Sequence, residues 1–132
     1  MKVVAPTVDY DHDVRWMSVL SKDGKTLYID RTLPGVIRNN DKPLLIVHPL
    51  MEHETTEYGL MAGGMTYLPA HVRATKAEKK WMIDHGFDWS AWGAWCRGEM
   101  SRLENRKITK PVPNPDVKPS PHDRRKLVSR VT

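Results

Sequence analysis

Between Pro49 and Met61 the chain reads Pro49-Leu50-Met51-Glu52-His53-Glu54-Thr55-Thr56-Glu57-Tyr58-Gly59-Leu60-Met61, and His53, Glu54 and Glu57 are residue types that acid–base and metal chemistry use. In a helix His53 and Glu57 stand one turn apart on one face, where an imidazole nitrogen and a carboxylate oxygen can reach the same cation. Leu50, Leu60 and Met61 share that face, so it is the one expected to point inward. An inward imidazole and carboxylate are costly unless they pair with each other or bind a metal, so their placement needs a reason.

A second stripe offers partners. His71, Ala74, Thr75, Glu78, Trp81, Met82 and His85 recur at steps of three and four, so His71 and Glu78 can meet His53 and Glu57 across a helical hairpin. His53, Glu57, His71 and Glu78 would then form a His2Glu2 ligand set suited to a divalent Zn, Mn or Fe ion, with the carboxylates favouring the harder ions. Glu54, turned about 100° from His53 around the helix, is the candidate general base, acting through a metal-bound water. A hydrogen-bonded network of the same four side chains accounts for their placement equally well. His48, just before Pro49, reads as a helix-start residue. His12 sits in the acidic run Asp9-Tyr10-Asp11-His12-Asp13, which reads as a solvated loop able to hold a cation only loosely. Cys96 falls on an apolar stripe and reads as a buried, inert thiol.

The elements that must position these residues are those of an α+β fold. Trp16-Met17-Ser18-Val19-Leu20 and Thr26-Leu27-Tyr28-Ile29 flank Lys22-Asp23-Gly24-Lys25, and Asp-Gly between β-prone runs signals a hairpin. Val36-Ile37-Arg38 adds a short strand to a small antiparallel sheet before the turn-prone Asn39-Asn40-Asp41. Three helices follow. The first runs from about Pro49 to Gly63-Gly64, and the second from about Pro69 to His85, with Gly86 just past its end. The third runs from the N-cap Asp88 to about Asn105. Trp81, Trp89, Trp92 and Trp95 read as packing between the second and third helices rather than as base-stacking surfaces.

Charge divides the 132-residue chain at Asn105. Residues 1–105 carry a net −1 and read as a single α+β domain, whereas residues 106–132 carry +6. Their basic residues are Arg106, Lys107, Lys110, Lys118, Arg124, Arg125, Lys126 and Arg130. Pro111, Pro113, Pro115, Pro119 and Pro121 oppose helix and ladder formation there, so the tail is expected to be disordered when alone. A basic arm of this kind suits nucleic acid or an acidic protein surface. Cys96 alone cannot close an intramolecular disulfide, which excludes a disulfide-stapled fold and a Cys-rich zinc knuckle. The longest apolar run, Leu44-Leu45-Ile46-Val47, is far too short to cross a bilayer, so no membrane association is expected.

His53-Glu54-Thr55-Thr56-Glu57 resembles the His-Glu-x-x-His segment of zinc peptidases, in which the Glu after the first His is the base; here Glu57 stands where the second His would be. Over roughly Tyr28 to Trp89 the chain is also similar to small uncharacterised phage and prophage proteins. The shared features are the Tyr28-Ile29-Asp30 strand end, the His-Glu-x-x-Glu helix, and Tyr67-Leu68-Pro69-Ala70-His71 followed by Glu78. That resemblance implies a viral or mobile-element origin, and a place in the bacterial cytoplasm or the virion. It groups His53, Glu54, Glu57, His71 and Glu78 as one site. Two functions follow as expectations: a metal-binding accessory domain, with peptidase-like hydrolysis as its activity, or a non-enzymatic phage assembly protein whose basic tail contacts its partner.

Overall fold

In the computed structural model, which describes residues 5–116, the chain order is β1 (Thr7–His12), β2 (Ser18–Leu20), β3 (Thr26–Asp30), β4 (Val36–Asn39), β5 (Lys42–Leu45), α1 (Val47–Ala62), α2 (Tyr67–Asp84) and α3 (Trp89–Glu104). The α+β architecture of a small sheet followed by three helices is the expected one. Strands β2 and β3 form the antiparallel hairpin, with Ser18 opposite Ile29 and Leu20 opposite Leu27. Its turn depends on Gly24, at φ +73, a conformation costly for a residue with a Cβ. A Cβ there would also lie 2.8 Å from the ring of Tyr58, whose hydroxyl donates to the Lys22 carbonyl at 3.0 Å and so ties α1 to the turn.

Two features of the strands depart from the sequence reading. Residues Thr7–His12, read in part as a solvated acidic loop, form β1, which runs parallel to β3 and gives a sheet of order β1-β3-β2. Val36–Asn39 does not join that sheet but pairs with Lys42–Leu45 in a separate hairpin. Asn40 and Asp41, at φ +53 and +60, make its tight turn, since both residue types tolerate the left-handed region.

Side chains alternate across the three-stranded sheet. Leu20, Leu27 and Ile29 face the helices and pack with Leu44, Ile46, Leu50, Met82, Trp92 and Leu103 in the main core. Ser18 shares that face, which brings it against α1. Val19 and Tyr28 face the other way and, with Val14, are covered by Val112. Trp92 is fully buried, and Trp81, Trp89 and Trp95 pack around the core, as their spacing predicts.

The helices end where their punctuation places them. Asp88 caps α3 by accepting from the Ala91 amide at 3.0 Å. Gly86, at φ +77, lets the chain leave α2 while the Phe87 amide returns to the Met82 carbonyl. Pro49 and Pro69 each lie in a first turn, where their lack of an N–H costs nothing. The short connection between α1 and α2 makes them an antiparallel pair with facing stripes.

The ordered body extends past Asn105, contrary to the expected boundary. Asp13 and Asp30 are buried carboxylates that need donors, and residues 106–110 supply them. Arg106 pairs with Asp30 and reaches Asp13 at 3.3 Å, and the amides of Thr109 and Lys110 donate to Asp13 at 2.8 and 2.9 Å. Farther on, the Asn114 carbonyl accepts from the Lys22 amide and the Asp116 amide donates to the Leu20 carbonyl. Proline is tolerated here because these edge bonds use groups of Lys110, Asn114 and Asp116, and none requires a proline N–H. Residues 117–132 of the expected tail lie outside the described residues.

Candidate metal centre

α1 and α2 bring the two sequence stripes together. His53 Nε2 lies 3.2 Å from Glu57 Oε2, and His71 Nδ1 lies 2.9 Å from the same oxygen. Since a carboxylate only accepts, both imidazoles donate to it. His53 Nδ1 donates to Glu78 Oε1 at 2.8 Å, and the Trp92 indole N–H on α3 donates to Glu78 Oε2 at 2.6 Å. The His53 and His71 rings meet edge to face with centroids 4.9 Å apart, and the Tyr67 hydroxyl lies 3.4 Å from His71 Nδ1.

Burial of this kind would by itself lower the pKa of His53. The hydrogen bonds to Glu57 and Glu78, helped by the charges of Glu78 and Glu54, outweigh burial and push it up to about 10. His53 without a metal is therefore an imidazolium donating from both nitrogens, one to each carboxylate. Glu57 is only 1% exposed, so its negative charge depends on these donors.

His53, Glu57 and His71 lie close enough to hold one metal ion, with one ligand atom from each within 4.8 Å of the others. A tetrahedral ion with bonds of about 2.0–2.1 Å needs ligand atoms about 3.3 Å apart, and the separations of 3.2 and 2.9 Å around Glu57 Oε2 are near that value. Two imidazoles and one carboxylate suit Zn, Mn or Fe(II). Glu78 is not within this group of donors; it holds the far nitrogen of His53, the position of an outer carboxylate that orients a ligating histidine.

A cavity of about 170 Å³ opens beside the cluster. His53, Glu54, His71, Thr75 and Glu78 form its polar wall, and Trp16, Met17, Leu50, Trp89 and Met100 its apolar one. Glu54 is buried on this wall and accepts from the Ser18 hydroxyl at 2.9 Å. Met17, which precedes Ser18, is buried at φ +78, a backbone conformation rarely adopted outside glycine, and lines the same cavity. A larger cavity of about 300 Å³ lies under residues 108–116 and is lined by none of His53, Glu54, Glu57, His71 and Glu78.

Other candidates fall elsewhere. His48 stacks on Trp81 and lies apart from the cluster. Cys96 lines the cavity, but burial pushes its thiol well up and keeps it neutral. Of the basic residues expected to contact a partner, Arg106 is committed to Asp13 and Asp30, and Lys110 pairs with Asp11 at 2.8 Å. Lys107 is exposed. Lys118, Arg124, Arg125, Lys126 and Arg130 lie outside the described residues.

Sequence reasoning missed Trp92, Ser18 and Tyr67 as members of the site. Tyr67 was within reach, since it precedes His71 by one helical turn. Ser18 and Trp92 come from β2 and α3, and no local spacing connects them to α1 and α2. Comparison of the chain with protein families, curated proteins and solved structures returns no match.

Proposed function

We propose that this chain binds a divalent metal ion through His53 Nε2, Glu57 and His71 Nδ1, and that Glu54 serves there as the proton acceptor for hydrolysis of a small substrate. The observation that carries the reading is the convergence of His53 and His71, which line a cavity, on one oxygen of the buried Glu57 carboxylate behind them. Three protein ligands leave a coordination position open, as in catalytic rather than structural zinc sites. An ion held there would supply Lewis-acid activation of water or substrate. The remaining work belongs to the chain. Glu57 neutralises charge, Glu78 orients His53, and Glu54, steadied by Ser18, accepts a proton from the attacking water.

The cavity has room for a small molecule or for one side chain of a larger substrate. At about 170 Å³ it is close to an engineered cavity of about 150 Å³ that admits benzene. It is well below the roughly 300 Å³ at which pockets for larger ligands begin. Small esters, amides and phosphoesters are therefore the first substrates to offer it.

The test pairs binding with turnover. Wild-type protein should take up one equivalent of Zn, Mn or Fe(II) and hydrolyse at least one member of a panel of small nitrophenyl esters and phosphodiesters. Glu54→Gln should keep the ion and lose turnover by about a hundredfold or more, the usual contribution of a general base. An ion with unchanged turnover in Glu54→Gln removes Glu54 from the mechanism. Failure to take up any of the three ions reduces the cluster to a hydrogen-bonded network.

A further inference from the structure

The side chain that closes the network most firmly offers no ligand atom. Trp92 is 0% exposed, sits in the main core and stacks on Trp95 with centroids 5.4 Å apart, so its ring has no freedom to swing. Its N–H is a donor only, and buried donors must end on an acceptor. It ends on Glu78 Oε2 at 2.6 Å, and the other oxygen of Glu78 accepts from His53 Nδ1 at 2.8 Å. His53 Nε2 then faces Glu57.

An imidazole can bind a cation through either nitrogen, and the partner of one nitrogen determines which is presented. Glu78 could serve that purpose from many side-chain conformations, since a Glu on a helix has several free torsions. The Trp92 bond selects one of them. We infer that Trp92 is a positioning residue of the metal centre, acting through Glu78 to keep Nε2 of His53 turned toward the ion. This inference rests on the metal reading above. It makes α3 part of the centre although α3 supplies none of the three grouped donors.

The experiment is a Zn-binding titration of the full chain by competition with a chromophoric chelator, on wild type, Trp92→Phe, Glu78→Gln and the double variant. Glu78→Gln leaves one acceptor oxygen for two donors. It should weaken Zn binding about 10- to 100-fold, as loss of an outer-shell partner does. Trp92→Phe should weaken it about fivefold to tenfold, and in the Glu78→Gln background it should have less than a twofold effect, because its route to the ion is already cut. The Co(II)-loaded variants should show a shifted visible band, a readout that loss of packing alone does not move. If Trp92→Phe fails to fold, benzothienylalanine at position 92 keeps the bicyclic ring and removes only the N–H.

Zn binding within twofold of wild type in the N–H-deleted protein, or effects that multiply in the double variant, would overturn the inference while leaving the metal site standing. No Zn uptake by wild type would overturn the metal reading itself, and this one with it.

Discussion

Glu57 Oε2 accepts from His53 and His71 together, and that one atom makes the cluster either a salt-bridged network or a cation site. The two states differ by a proton. With its pKa pushed up to about 10, His53 is charged at neutral pH and must give up a proton to ligate through Nε2. Metal uptake at pH 7–8 should therefore release about one proton per ion, and apparent affinity should rise with pH up to about 10. Indicator-monitored titration in weak buffer checks both; uptake without proton release would mean that His53 stays protonated and is not a ligand. The metal-free protein carries the matching linkage. Because the folded pKa of His53 is raised, its stabilising contribution is full below the unfolded value of about 6.5 and is lost as pH climbs through about 10. His53, Glu57, His71 and Glu78 were legible in the sequence because helical spacing placed polar, ligating side chains on apolar faces. Trp92 and Ser18 were not, because their roles arise from tertiary approach.

At the scale of elements, local punctuation located the helices and the first hairpin. Asp88 before α3, Gly86 after α2 and Asp23-Gly24 between β2 and β3 each act through backbone groups of their nearest neighbours, so sequence alone exposes them. Strand β1 escaped because its pairing is parallel to β3 and nonlocal, and because Asp9, Asp11 and Asp13 gave it the composition of a loop. Gly24 offers a direct test of how α1 is seated. Gly24→Ala forces a side chain into a left-handed position and to within 2.8 Å of the Tyr58 ring. It should cost about 2 kcal/mol, seen as a lower denaturation midpoint with unchanged slope. A neutral outcome would mean that the turn and α1 are not packed as described. Asp88→Ala should cost about 1 kcal/mol through loss of the α3 cap.

For the whole molecule, part of the stretch assigned to a free basic tail belongs to the body. Residues 106–116 complete the fold by supplying donors to Asp13 and Asp30 and by covering Val14, Val19 and Tyr28 with Val112. Composition concealed this, because proline and charge look the same in a solvated tail and in a strap whose backbone bonds fall on the residues between its prolines. A chain ending at Asn105 should lose about 3 kcal/mol or more relative to one ending at Asp116, since it leaves buried carboxylates short of donors; equal melting temperatures would refute the strap. The same carboxylates govern acid stability. Burial opposes their charged forms, yet the Lys110 and Thr109 amides with Arg31 and Arg106 hold Asp13 far below the usual carboxylate range, and Arg106, Thr32 and Val14 hold Asp30 below it. Their contribution is complete above the unfolded value of about 3.9 and is lost as pH falls through the folded values, so Arg106→Ala should flatten the acid limb of stability against pH. The central claim, a metal ion held between α1 and α2, is tested most directly by native mass spectrometry of the whole protein, purified without chelators and then offered Zn, Mn or Fe(II). Wild type should carry one ion per chain, and His53→Ala and Glu57→Ala none. A wild-type spectrum free of metal under all three ions, or equal loading in those variants, would contradict that claim.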